Sequence, residues 1–133
     1  MKVCIYGAGA IGGWIGVHLA QTGHEVSVVA RGATLEALQK NGLACIQSQA
    51  SDARIKADVK VSANPADLGP QDLVIVAVKA PAMADVAKGI APLLGANTMV
   101  MTAMNGVPWW FFQGFGGSLQ GTTLNTIDPE GRI

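Results

Sequence analysis

At 133 residues the chain is one domain's worth of polypeptide, long enough to bury roughly two-thirds of its unfolded surface around a single core. Half of its residues are apolar and only 14% are charged, against about 25% in a typical soluble domain, which excludes an intrinsically disordered chain and leaves a surface short of charge. Nine basic side chains balance nine acidic ones with no run of either sign, so the electrostatic footprint of a nucleic-acid or anionic-membrane binder is missing and the expected ligand is small.

In chain order, Val3–Tyr6 reads as a buried strand. Ala10–Gln21 follows as a helix, with Ile11, Ile15 and Leu19 forming an apolar stripe at i, i+4 and i+8 and Gly23 placed to stop it. Glu25–Ala30 is the second strand. A short helix over Thr34–Lys40, with Thr34 as its cap, closes at Asn41 and Gly42, and the weak alternation from Leu43 to Ser62 predicts a hairpin. Leu73–Val78, a continuous apolar run after Gly69 and Pro70, suits a central strand buried on both faces. A helix over Ala82–Leu94 and a strand over Thr98–Ala103 come next, and the chain then turns through Asn105, Gly106 and Pro108 into four aromatic residues and the glycine-rich stretch Gly114–Gly117. Short apolar runs alternating with longer mixed stretches are the pattern of βα units, so the expected fold is α/β: a Rossmann-like, doubly wound and mostly parallel sheet.

The segment Val3–Ala20 carries no formal charge and follows Lys2, so a signal peptide or a membrane span has to be weighed. Glycines 7, 9, 12, 13 and 16 would weaken an apolar helix there, and no small-x-small cleavage site follows. Cys4 and Cys45 are isolated thiols without zinc-site spacing, and they read as small buried hydrophobes in a reducing compartment. The expectation is a cytoplasmic protein with no membrane association and no metal site. His18, within the first helix, and His24, between helix and strand, have no nucleophile or carboxylate partner at a recognisable spacing.

The most informative motif is Gly7-Ala8-Gly9-Ala10-Ile11-Gly12, because it follows the first strand directly and opens the first helix. Gly7 permits a tight turn, Gly9 lets the backbone approach a pyrophosphate, and Gly12 lets the helix pack against the strand, while the phosphates meet free N–H groups at the positive helix end. No Lys follows the glycines, which rejects a P-loop. At the end of the second strand, where an NAD protein usually places an acidic residue, the sequence reads Val29-Ala30-Arg31-Gly32, and Glu25 sits at the wrong end. Arg31 offers a guanidinium to a 2′-phosphate, which favours NADP; the alternative is an ordinary solvated arginine at a strand end. Lys79 and Asn105 lie just past the carboxyl ends of predicted strands, where ligands of open α/β sheets sit, although taken alone they read more readily as a solvated lysine and a turn. Trp109, Trp110, Phe111 and Phe112 cannot all face one core; a helical turn would bury two and expose two, which suggests core plus interface.

Taken together, GAGAIGG after the first strand, Arg31 after the second, Val78-Lys79 after the central strand and Met104-Asn105-Gly106 after the next resemble the ketopantoate reductase (2-dehydropantoate 2-reductase) family over essentially the whole chain. The resemblance implies NADPH-dependent reduction of ketopantoate to pantoate, a step toward pantothenate and coenzyme A, with other 2-oxo acids as substrates of homologues. It implies that Gly7, Gly9 and Gly12 hold the pyrophosphate, that Arg31 holds the adenosine 2′-phosphate, and that Lys79 and Asn105 line the nicotinamide end and the substrate. Family members carry a second, mostly helical domain that supplies the catalytic lysine and an acidic substrate-binding residue. Residues 1–133 are therefore expected to be a truncated cofactor-binding domain without catalytic residues, meeting the missing domain or a second copy through Trp109, Trp110, Phe111 and Phe112. Two other readings stay open: a hydroxyacid dehydrogenase or flavoprotein on the same scaffold, and a non-catalytic nucleotide-binding module.

Overall fold

The computed structural model describes residues 1–48 and 51–133. Among the described residues seven strands and three α-helices follow one another: β1 (Lys2–Tyr6), α1 (Ala10–Gln21), β2 (Glu25–Val29), α2 (Gly32–Asn41), β3 (Leu43–Ser48), β4 (Ser51–Ala57), β5 (Lys60–Ser62), β6 (Gln71–Val76), α3 (Met83–Gly89) and β7 (Leu94–Thr102). Five strands form one sheet in the order β5-β2-β1-β6-β7. Every pairing in it is parallel, with Tyr6 in register with both Val29 and Val76. The expected doubly wound architecture is therefore present.

Alternation of side chains along the inner strands divides the core into two layers. Val3, Ile5, Val28 and Ile75 pack with Val17 of α1 on one face, whereas Cys4, Tyr6, Val74 and Val76 pack with Met83 and Val86 of α3 on the other. The polar residues between them are satisfied: the buried Ser27 hydroxyl donates to Gln71 Oε1 at 3.3 Å, and the Gln71 amide donates to the Leu68 and Gly69 carbonyls.

Helix α1 has the expected limits, and Gly23 stops it with φ +85° while the Gly23 and His24 amides donate back to the Ala20 and Leu19 carbonyls. Its buried face differs from the expected stripe. Gly12, Gly13, Gly16 and Val17 are buried, whereas Ile11 is 60% exposed and Ile15 and Leu19 are half-buried. Close approach is the reason, because a Cβ at Gly16 would lie 2.9 Å from Leu43 Cδ2 and 3.0 Å from Ile5 Cγ1.

Other differences also have local causes. Helix α2 starts earlier than expected, with Arg31 rather than Thr34 at its N-cap, and Thr34 lies inside the helix, exposed. The predicted hairpin is the antiparallel β3–β4 pair alone, its turn lying outside the described residues, while Lys60–Ser62 leaves it to become β5 at the edge of the main sheet. The predicted helix over 82–94 is divided into α3 and a 3₁₀ turn over Ala91–Leu93, since Pro92 has no amide with which to continue the ladder. β6 ends at Val76, so Ala77 and Val78 belong to the loop that follows.

β7 begins at Leu94, and its register against β6 shifts between Gln71 and Leu73, where the Thr98 hydroxyl accepts from the Gly95 amide and donates to the Gln71 carbonyl. Beyond it, residues 109–112 form turns and not a helix, and none of the four aromatics is buried as a helical turn would bury two of them: Trp109 and Phe112 are half-buried, whereas Trp110 and Phe111 are exposed. Cys4 is buried and Cys45 half-buried, both as free thiols. Among the described residues no helix is long and apolar enough to cross a membrane, and no group of three His, Cys, Asp or Glu could hold a metal ion.

Candidate functional site

The carboxyl ends of β1, β2 and β6 are level with one another, so the loops after Tyr6, Val29 and Val76 leave the sheet at one edge. Backbone hydrogen bonds fix these loops where they emerge. The Gly7 amide donates to the Val29 carbonyl at 3.1 Å, Ala77 to Tyr6 at 2.9 Å, and Ala103 to Val76 at 2.8 Å.

Three glycines of the first loop and the opening of α1 have three different reasons to be glycine. Gly7 sits at φ +99°, and a Cβ there would meet Val78 Cγ1 at 2.7 Å. At Gly12 a Cβ would run into the Gly7 carbonyl oxygen and lie 3.0 Å from Ala77 and Ile5 side-chain atoms, so this residue holds α1 against the strands. Gly9 is different. Its φ of −74° suits any residue, and a Cβ on it would have nothing within 4 Å. Among the described glycines it alone combines an ordinary backbone with open space. Gly9 is also the N-cap of α1 and no side chain caps that helix, so the first-turn amides are left for an external acceptor.

The open space at Gly9 belongs to a cleft in two halves. One half, about 340 Å³, is lined by Gly7, Ala8, Gly9, Ala30, Arg31, Thr34 and Asp85, among others. The other, about 410 Å³, is lined by Gly9, Ala10, Ile11, Met104 and Asn105 among others. Both halves share Gly9, Ala77, Val78 and Lys79, so they meet over the glycine turn with Lys79 between them. Every site residue expected from the sequence except Gly12 lines this cleft; Gly12 supports it from below. Ile11, misplaced in the core by its periodicity, is exposed at the cleft wall.

Electrostatics at the first half come from Arg31 and a residue the sequence reading missed. Arg31 Nη1 lies 3.5 Å from Asp85 Oδ2, with both side chains more than 60% exposed. Asp85 stands in the first turn of α3, on the far side of β1 from Arg31. The available signal was an acidic residue opening the helix that follows β6. Glu25, as expected, lies at the opposite end of β2, beside Met1 and Lys2. Neither His18, which makes an edge contact with Trp14, nor His24 lines the cleft. Cys4 lies beneath it in the core, where burial pushes its thiol up to about 11 against the opposing hydrogen bonds of Ser27 and the Val29 backbone.

The sequence model of the Ketopantoate reductase PanE/ApbA family matches residues 3–108. A 2-dehydropantoate 2-reductase from Mesorhizobium japonicum is 49% identical over 134 residues, covering all of this chain and 40% of the relative. A crystal structure from Ralstonia solanacearum MolK2, described as that of a candidate ketopantoate reductase, is 53% identical and superposes with a TM-score of 0.90 over 98% of this chain and 40% of its own. D-mandelate dehydrogenase, in a structure with NADH and anilino(oxo)acetate, is 26% identical with a TM-score of 0.71, over 81% of this chain and 34% of its own. The chain thus spans about 40% of the length of the more similar relatives.

Proposed function

The chain belongs to the ketopantoate reductase family, whose members are nicotinamide-dinucleotide-dependent oxidoreductases, and on that premise we propose that residues 1–133 bind NADPH for the reduction of ketopantoate to pantoate in the cytoplasm. The observation that carries this reading is Gly9. Nothing in its backbone or its packing requires a glycine, whereas a pyrophosphate resting on the N-terminus of α1 would. The shape of the cleft supports the same reading, since it runs from a guanidinium at one end to an amide at the other.

Each residue then has a role that its chemistry permits. Gly7 and Gly12 hold the turn, and the amides of the first turn of α1 take the pyrophosphate. Arg31 takes the 2′-phosphate with its fork of donors. Lys79, between the halves, positions cofactor and substrate by charge, and Asn105 donates a hydrogen bond at the far end. When bound, NADPH supplies the hydride. Asn105 has no proton to give at neutral pH. We assign the proton donor, and the acidic substrate-binding residue, to the part of the longer relatives that this chain does not span, and the exposed Trp110 and Phe111 to a contact with that part or with a second copy. Another 2-oxo acid is the alternative substrate, favoured by the likeness to D-mandelate dehydrogenase.

A fluorescence titration with NADPH and with NADH tests the cofactor assignment. NADPH should bind about tenfold more tightly or better, and Arg31→Ala should remove most of that difference, because a charged hydrogen-bonding contact contributes about 1.5–3 kcal/mol. Equal affinities in the unaltered chain would sink the assignment to NADP.

A further inference from the structure

Arg31 does not face the cleft alone. Its guanidinium reaches across to Asp85, so the two lips of the adenosine half, one at the start of α2 and the other in the first turn of α3, are joined by an ion pair at 3.5 Å. Pairs this exposed contribute little to stability, because water screens them and two flexible side chains must be held in place. The pair matters more for what enters between its partners. An adenosine ribose bearing a 2′-phosphate, with a charge of about −1.5 to −2 near neutral pH, competes with Asp85 for Arg31 and leaves a carboxylate facing a phosphate. A ribose bearing a 2′-hydroxyl does neither, since the hydroxyl donates to Asp85 while the carboxylate keeps its hold on Arg31.

We propose that Asp85 is a specificity-determining residue at the adenosine end of the cleft, tempering the preference that Arg31 gives to NADPH and admitting NADH. The proposal rests on the reading of the cleft as a dinucleotide site. It also supplies, from α3, the carboxylate that β2 does not carry at its own end.

The test measures dissociation constants of the 133-residue chain for NADPH and NADH by fluorescence, and for 2′,5′-ADP and ADP by calorimetry, so that the adenosine end is read without any turnover. Asp85→Asn should raise the NADPH-to-NADH affinity ratio by about three- to tenfold, as expected for a like charge removed a few ångströms from a phosphate near the surface. The same factor should appear between 2′,5′-ADP and ADP, and it should shrink as salt is raised. Asp85→Glu, which keeps the charge, should hold the ratio within about twofold, which guards against an effect of the substitution on folding. A ratio that is unchanged or lowered by Asp85→Asn, with both dinucleotides still binding, overturns the role of Asp85 and leaves the dinucleotide site standing. Binding of neither dinucleotide by the unaltered chain overturns the site reading and this proposal together.

Discussion

β6 and β7 are neighbours in one sheet, paired in parallel, with Val74 beside Val100 and Ile75 beside Met101. Their chemistry is the same and their burial is opposite. Val74 and Ile75 are 0% and 1% exposed, whereas Val100 and Met101 are 47% and 42% exposed. The hydrogen-bond ladder therefore sets where a strand lies, and the helices set whether its side chains leave water. α1 and α3 cover β1, β2 and β6 from the two sides, whereas Met99, Val100 and Met101 of β7 stay exposed. The functional consequence is a cleft whose glycine turn and Arg31 lip stand on the covered strands, while Asn105 hangs from the uncovered one.

The largest expected effect comes from lifting the cover off the inner strands. Gly12→Ala places a methyl group against the Gly7 carbonyl, which is backbone and cannot swing away, so α1 must move from β1. A loss of about 3 kcal/mol or more, seen as a fall in Tm of about 10 °C or more, is expected. Gly9→Val is the control in the same turn. With open space around it, the valine should leave stability within about 1 kcal/mol while weakening NADPH binding more than about a hundredfold. Thermal melts and titrations of the two variants check the pair, and loss of folding in both, or of binding in neither, would break the distinction between a glycine the fold needs and one a ligand needs.

A medium effect is expected from pH, because the covered strand β1 holds Cys4 whereas Cys45 sits half-exposed on β3. Burial raises the folded Cys4 thiol from 9.0 to about 11, so above pH 9 the folded state keeps a proton that the unfolded state releases. The stabilisation is complete below about pH 9 and is lost as pH rises toward 11, a total of about 2–3 kcal/mol. Urea denaturation across this window should show the decline, and Cys4→Ala should flatten it. A slope unchanged by that substitution would assign the alkaline loss to other groups.

What the sequence revealed and what it concealed divide along the same physical line. The turn from Gly7 to Gly12 was legible because its demands are local: a positive φ, a close helix and an open helix end all lie within six residues. The buried stripe of α1 was not, since glycines carry no hydropathy and the apolar Ile11 that should mark the core lies at the cleft instead. The three residues of β5 look like a continuation of the hairpin, and only the sheet's free edge beside β2 distinguishes them. Asp85 was missed for a related reason. Its partner Arg31 lies far away in sequence, and the two meet only because β2 and β6 flank β1 with their carboxyl ends level.

The smallest expected effect tests the comparison directly. Threonine has nearly the shape of valine and suits a strand equally well, so replacing Val74 or Val100 with it changes polarity and little else. At Val74, fully buried between β1 and β7, the hydroxyl enters an apolar layer formed with Met83, Val86 and Leu93, and the cost of a buried polar group with at best an imperfect partner is about 1–3 kcal/mol. At Val100 the hydroxyl stays in water, and the expected change is less than about 0.5 kcal/mol. Chemical denaturation of Val74→Thr and Val100→Thr at low and high protein concentration measures both. A Val100→Thr cost above about 1 kcal/mol that grows with concentration would mean that a second copy covers β7 in solution, and the contrast between the two strands would then belong to the single chain and not to the assembled protein.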